Sequence, residues 1–168
     1  MAATLVFRLT GGASNSTPGS SLGGIMSDNA VSGTALNNLF DDVTPAERVA
    51  GIAKEYRAID VYNSGDATAE SVALYMSTPT SSTGTVLHLG YDATNNDHIA
   101  GWDGETIGSD TTDPASPVIS FDERTSSEKL TLPDIPTSKA VRVWVKRIVT
   151  AGVTNTANDT GTLAVDYA

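Results

Sequence analysis

The chain has 168 residues and a mass of 17.4 kDa, the size of one domain. Charged residues make up 18% and aromatic residues 6% of the chain, whereas 39 residues are Ser or Thr. This composition favours an all-β protein with many polar turns. Twenty acidic and ten basic residues give a formal net charge of −10. We therefore expect no nucleic-acid partner, because such partners require a basic surface.

The absence of cysteine and of long apolar segments excludes further classes of site and of protein. The chain has no cysteine, which excludes disulfides, thiolate metal sites and cysteine nucleophiles. It contains no apolar run of the roughly 18 residues that a transmembrane helix needs. The apolar stretch near residue 5 is also too short for a signal peptide. We expect no membrane partner and a protein that stays in the compartment where it is made.

The first third of the chain, residues 1–54, is predicted to hold one strand, an arm and a short helix. Residues 4–9 alternate as a strand does. Residues 11–33 are rich in Gly, Ser and Asn, which predicts an extended arm that orders on a neighbouring molecule, with a plain linker as the alternative. Thr44-Pro45-Ala46-Glu47 matches a capping box and predicts the one helix, which ends at Gly51. The apolar residues before it are expected to dock on the β core or on a neighbour: Leu36, Leu39, Phe40 and Val43.

Short alternating segments dominate the rest of the chain. Residues 55–63 and 70–77 predict two adjacent antiparallel strands joined by a turn. Residues 91–117 are predicted to be mostly loop. Further strands are predicted at residues 85–90, 118–121, 129–132, 140–149 and 162–167. This spacing predicts an antiparallel β-sandwich, immunoglobulin-like or jelly-roll, with residues 55–168 as its core and a small barrel as the alternative.

The segment 140–149 is the strongest predicted strand. Val141, Val143 and Val145 share one face, while Arg142, Trp144 and Lys146 share the other. A bulge near residues 146–147 is expected to return Ile148 to the valine face. If the valines face the core, Trp144 is an exposed interface anchor flanked by basic residues. The alternative is that residues 34–52 cover Trp144.

No pattern in the sequence predicts catalysis. No Ser lies in a G-x-S-x-G setting, and no Gly-rich stretch joins a strand to a helix as a phosphate-binding loop does. His88 and His98 do not have the spacing of metal ligands. The oxygen donors of residues 92–97 fit a turn better than a Ca²⁺ site. The sequence thus predicts no catalytic residue, no metal, no cofactor and no enzymatic activity.

The charges are distributed unevenly along the chain. Residues 91–134 hold ten acidic and two basic residues, while residues 139–147 hold four basic residues and no acidic one. The two regions either meet within one molecule or join neighbouring copies. The candidate interface residues are Leu36, Leu39, Phe40, Arg142, Trp144, Lys146 and Arg147.

Three segments carry a resemblance to a known group of proteins. Residues 36–44, 55–63 and 143–149 read LNNLFDDVT, EYRAIDVYN and VWVKRIV. With these segments the chain resembles small virion proteins of tailed bacteriophages over most of its length. The resemblance implies a structural part of the particle, built on an immunoglobulin-like sandwich and present in many copies.

The function expected on these grounds is that of a capsid decoration (cement) protein located in the virion. Its partners would be the major capsid protein or other virion subunits, and it would form a homo-oligomer, with a trimer favoured. One alternative is a ring or adaptor subunit of the tail or baseplate. Another is a receptor- or carbohydrate-binding module that uses Tyr62, Tyr91 and Trp102, although Trp102 fits better as a plug at one end of the sandwich.

Overall fold

The structure is a computed structural model that describes residues 2–34 and 38–168, without the side chains of residues 95 and 96. The described part is built from strands, with one short α-helix and a 3-10 turn at Pro18–Ser20. The strands and the helix are β1 (Leu5–Thr10), β2 (Gly23–Ala30), α1 (Pro45–Ala50), β3 (Ile52–Asn63), β4 (Ala73–Thr78), β5 (Thr85–His98), β6 (Asp103–Thr106), β7 (Leu130–Thr131), β8 (Ala140–Val149) and β9 (Thr162–Asp166).

Two antiparallel layers form the fold. The larger sheet has the strand order β5-β8-β3-β1-β2-β6, and the smaller one has the order β7-β4-β9. All strand pairs within the two sheets are antiparallel. The predicted all-β, sandwich-like fold with one short helix is therefore confirmed.

Strands β3 and β8 are neighbouring interior strands of the larger sheet, and both faces of this pair are buried. Because side chains alternate along a strand, Ile59 and Val143 point to the smaller sheet and join the main core. On the other face, Ala58 and Trp144 lie in a second apolar cluster with Ile107. Many antiparallel sheets have one buried and one solvent-exposed face. In β3 and β8 both faces are covered, so few residues of either strand are exposed.

The helix begins as the sequence predicts. The backbone N–H of Glu47 donates to the Thr44 hydroxyl at 3.2 Å, and the Thr44 N–H donates to the Glu47 carboxylate at 2.8 Å. These two bonds satisfy backbone donors that the first helical turn leaves open. The helix ends at Gly51, whose φ of 78° falls in the region that favours glycine. The predicted capping box is confirmed.

The predicted arm that orders on a neighbour is wrong for residues 23–30, because they form β2 between β1 and β6 of the same chain. Buried polar side chains fix the chain before this strand, together with Leu22, which packs against the second apolar cluster. The Ser21 hydroxyl donates to the carbonyl of Ala58 at 2.6 Å and accepts from the N–H of Thr10 at 2.8 Å. Such buried hydroxyl bonds order a segment that has little apolar area to bury. The predicted division after residue 54 falls inside β3.

Several predicted strands differ from those observed. Strand β4 pairs with β7 and β9 in the smaller sheet, so it is not the neighbour of β3. Residues 118–121 lie outside the strands, whereas β5 runs on to His98 and β6 follows within the predicted loop. The predicted bulge in β8 is also wrong, because the irregularity lies in β3, between Ile52 and Glu55. Arg147 therefore shares the face of Val145.

Candidate binding cleft

A cleft of about 710 Å³ opens between the two layers, at the end of the sandwich where β8 finishes. This volume lies within the usual range of ligand-binding pockets. Its wall is mixed: apolar side chains from both layers line it together with Ser, Thr and Asn residues and the acids Asp41, Asp42 and Asp159. The apolar and aromatic side chains come from both layers. They include Phe7, Phe40, Leu87, Val145 and Leu163, and Arg147 lies among them.

The segment before α1 forms one side of the cleft. The amide of Asn38 donates to the carbonyl of Ser32 at 2.8 Å, at the start of this side. Leu39 and Phe40 then pack against the main core. The sequence alone left open whether these residues dock on their own core or on a neighbour. In the structure, they dock on their own core.

Two arginines and a glutamate lie beneath this segment. Arg147 donates from Nε to Glu55 at 2.8 Å and from Nη1 to the carbonyl of Asp41 at 2.6 Å. Arg57 donates to Glu55 at 3.1 Å and to Asp110 at 3.2 Å. The two guanidinium groups thus form ion pairs with three carboxylates, those of Glu55, Asp41 and Asp110.

The Phe40 ring covers both guanidinium groups. Its centroid lies 4.8 Å from the guanidinium carbon of Arg147 and 5.3 Å from that of Arg57. Cations over an aromatic face are attracted by the quadrupole of the ring. Burial raises the pKa of Glu55, the nearby Arg147 only partly opposes this, and Asp110 adds to the rise. This group of charges, Glu55, Arg57 and Arg147 with Asp41 and Asp110, is called the cleft cluster below.

Arg48 lines the same cleft from the last turn of α1. In the described part of the chain, no carboxylate lies within 4.0 Å of its guanidinium group. The cleft therefore combines apolar side chains with a cation that has no acidic partner, while Asp41, Asp42 and Asp159 lie elsewhere on its wall. Chemically, this suits a segment of mixed polarity in which a carboxylate pairs with Arg48.

A second group of charges lies on the opposite face of the larger sheet. Arg142 donates to Asp60 at 2.7 and 3.1 Å and to the carbonyl of Gly24 at 2.7 Å. His98 Nε2 lies 3.2 Å from the same carboxylate, and the Trp102 ring stacks on His98 at 4.5 Å. Burial raises the pKa of Asp60, but Arg142 and His98 outweigh this and the pKa lies below its ordinary value. We call Asp60, Arg142, His98 and Trp102 the buried cluster.

The structure separates the candidate interface residues into two groups. Leu39, Phe40 and Arg147 meet at the cleft, whereas Arg142, Trp144 and Lys146 face the other way. Leu36 lies outside the described residues.

The prediction that Trp144 is an exposed anchor is wrong. Trp144 and Arg142 are both 0% exposed. Among the described residues of the range 34–52, none belongs to the cluster that packs around Trp144 either. It packs with Leu22, Ile107 and Ile119, which the sequence placed in the predicted arm, loop and an outlying strand. Lys146 is half-buried, with its ammonium 5.9 Å from the ring of Phe121.

The oppositely charged regions meet at one ion pair in the described part of the chain. Lys139 lies 3.3 Å from Asp97, whereas Arg142 and Arg147 pair with carboxylates of β3.

The three aromatic residues of the carbohydrate hypothesis do not share a surface. Tyr91 packs against the main core, Trp102 stacks on His98, and Tyr62 lies under Arg8.

Six charged or titratable residues of the two clusters were absent from the candidate list: Asp41, Glu55, Arg57, Asp60, His98 and Asp110. A signal for two of them is present in the sequence. Glu55 and Asp60 are five residues apart, as are Arg142 and Arg147. In an antiparallel pair, these equal spacings allow both acids to face both bases, and the register shows Asp60 opposite Arg142 and Glu55 opposite Arg147.

Comparisons of the chain with protein-family models, curated proteins and solved structures found no match. The resemblance to phage virion proteins therefore stays a prediction. Among the described residues, no helix is long and apolar enough to span a membrane. Within the same residues, no three His, Asp or Glu side chains form a group that could hold a metal ion.

Proposed function

We propose that this protein is a non-enzymatic structural component of a tailed-phage virion, and most specifically a decoration protein that binds the assembled capsid. Sequence resemblance is one support. The observation that carries the proposal is the convergence of Leu39, Phe40 and Arg147 at one open cleft. The pair Leu39 and Phe40 is more than 100 residues from Arg147 in the chain, and the sequence alone indicates all three as interface residues.

The cleft supplies a physical route to binding. The apolar part of its wall would bury apolar side chains of a subunit in the capsid, with the major capsid protein as the expected partner. Arg48 would pair with a carboxylate of that subunit, which fixes orientation more than it adds affinity. The cleft and buried clusters hold the surrounding strands in place, so little ordering would be needed on binding.

Self-association would increase the strength of attachment. A homo-oligomer, with a trimer favoured, would present several clefts to a repeating lattice. Linking several weak contacts raises the overall affinity without any new contact. This suits a protein that binds the assembled lattice in preference to a single free subunit.

The direct test is the copy number of the protein in purified particles of the phage that encodes it. Quantitative mass spectrometry against the major capsid protein would give this ratio. A ratio near one, or a simple fraction of it, supports capsid decoration. A handful of copies per particle would move the protein to the tail or baseplate, and its absence would overturn the virion proposal.

The cleft itself can be tested with Phe40→Ala. We expect this variant to remain folded and to incorporate into particles less than the wild type does, because it removes an apolar side chain from the cleft wall. Val118→Ala is the matched control, since Val118 is 87% exposed and does not line the cleft. Equal incorporation of the two variants would contradict binding through the cleft.

A further inference from the structure

Strand β9 forms an open edge of the smaller sheet. Its strand partner is β4, on one side. In residues 2–34 and 38–168, no strand pairs with its other side. An edge of this kind presents unpaired backbone N–H and C=O groups to any strand that can reach it.

The register identifies which backbone groups face outward. The N–H of Met76 in β4 donates to the carbonyl of Arg124 at 2.8 Å, away from β9. Leu163 lies opposite Met76. In an antiparallel pair, the backbone groups of two opposite residues either hydrogen-bond to each other or both point away from the partner strand. The N–H and C=O of Leu163 therefore point to the open edge, and with a period of two so do those of Val165.

The other sheet edges carry features that discourage further pairing. Strand β7 has two residues, and β6 carries the acidic Asp103 and Glu105. Strand β5 is bulged after Tyr91, and Asp122 bridges to it at Leu89. By contrast, β9 pairs regularly with β4 from Leu163 to Asp166 and contains neither proline nor lysine. Short strands, charges and bulges are the usual protections of an edge, and β9 has few of them.

We propose that β9 pairs with β9 of a second copy of this chain, antiparallel and about a two-fold axis at Ala164. Leu163 then lies opposite Val165 of the partner subunit, and their outward backbone groups form four hydrogen bonds across the axis. Thr162 lies opposite Asp166 of the partner subunit, so the two acidic groups do not face each other. In this register the outward N–H and C=O groups of Leu163 and Val165 are all paired, and no two acidic side chains lie opposite each other.

The pairing joins two three-stranded sheets into one of six strands. Leu163 and Val165 stay on the side of the main core, where they already pack. The contact is two-fold and small, so we expect a weak dimer in solution. It is independent of a role in the virion, and in a trimeric assembly it would link copies from neighbouring trimers.

Ala164 provides the test, because its side chain faces outward and would lie beside Ala164 of the partner subunit, about 4.5 Å away between Cα atoms. Ala164→Glu and Ala164→Lys should each weaken self-association roughly fivefold or more, because like charges would face each other. An equimolar mixture of the two variants should associate again, as a heterodimer. Sedimentation equilibrium of each variant, the mixture and the wild type measures this directly.

Two outcomes would overturn the pairing. One is a wild-type protein that stays monomeric up to roughly 1 mM. The other is a wild type that associates while both charged variants associate equally well. Destabilised variants would be recognised by circular dichroism, and the recovery of the mixture would still separate misfolding from charge repulsion.

A second measurement uses the absence of cysteine from the chain. Ala164→Cys should form a disulfide-linked dimer on mild oxidation, because facing residues of a non-hydrogen-bonded pair approach closely enough for a disulfide. Ser126→Cys is the control, since Ser126 is exposed and lies outside the strands. Equal cross-linking of the two variants would show random collision and contradict the proposed register.

Discussion

The buried cluster and the cleft cluster use the same cross-strand chemistry in different surroundings. Both centre on an acid of β3 directly opposite an arginine of β8, Asp60 with Arg142 and Glu55 with Arg147. The two pairs are five residues apart, an odd number, so they lie on opposite faces of the same sheet. The first is closed under Trp102, and the second lies beside an open cleft.

The number of carboxylates distinguishes the clusters. In the buried cluster, Arg142 serves one carboxylate, and His98 also lies next to it. In the cleft cluster, two arginines serve three carboxylates, one of which belongs to Asp41, with a side chain that is 78% exposed. Burial raises the pKa of both acids, but Arg142 and His98 outweigh it at Asp60, whose pKa is lowered, whereas Arg147 and Arg57 do not outweigh it at Glu55, whose pKa is raised. The same kind of cross-strand acid–arginine pair is therefore fully buried inside the fold in one cluster and borders a solvent-accessible cleft in the other.

The largest expected effect comes from breaking the buried cluster. Arg142→Ala should lower the free energy of unfolding by about 3–5 kcal/mol, because it leaves the Asp60 carboxylate buried without its cation. Chemical denaturation of the purified variant measures the loss. Lys54→Ala is the control, since it removes an exposed pair with Asp113 and should cost at most about 1 kcal/mol. Equal losses in the two variants would contradict a structural role for the buried cluster.

The cleft cluster should tolerate the same change better. Arg147→Ala should lower the free energy of unfolding by about 2 kcal/mol, because Arg57 still holds Glu55 and water can enter from the cleft. The measurement is again chemical denaturation, in parallel with Arg142→Ala. A larger loss for Arg147→Ala than for Arg142→Ala would reverse the proposed difference between the clusters.

The sequence predicts the parts of the fold that depend on local pattern. The capping box at Thr44 and the two faces of residues 141–145 follow from spacing, and the structure shows both. The exposure of Trp144 was predicted incorrectly because alternation shows which residues share a face but does not show what covers that face. Its cover comes from loops at residues 22 and 107–121, which have no strand period.

The candidate site was predictable in part for a related reason. Apolar residues before a helix must pack somewhere, so Leu39 and Phe40 could be chosen without a structure. Arg147 is a candidate because it belongs to the basic segment 139–147, whereas the bulge expected beside it lies in β3 instead. The buried partners Glu55 and Arg57 were missed because charged residues in a strand are usually solvent-exposed. Only the register between β3 and β8 shows that they pair.

The smallest expected effect is a difference in pH dependence between the two clusters. Because the pKa of Asp60 is lowered in the folded state, its ionised form contributes stability above its ordinary pKa of about 3.9, and this is lost as the pH falls through the folded value. Because the pKa of Glu55 is raised, its contribution is fully present below about 4.3 and is lost as the pH rises through the folded value. The signs are opposite.

Asp60→Asn and Glu55→Gln separate these contributions. The stability cost of Asp60→Asn should be largest near neutral pH and should shrink in acid, whereas the cost of Glu55→Gln should be largest in acid and should shrink as the pH rises. Each unit of pKa shift corresponds to about 1.4 kcal/mol, so denaturation curves from about pH 3 to about pH 7 can resolve the trend. Costs that change with pH in the same direction would show that the two carboxylates share one environment, and the contrast between a closed and an open cluster would then fail.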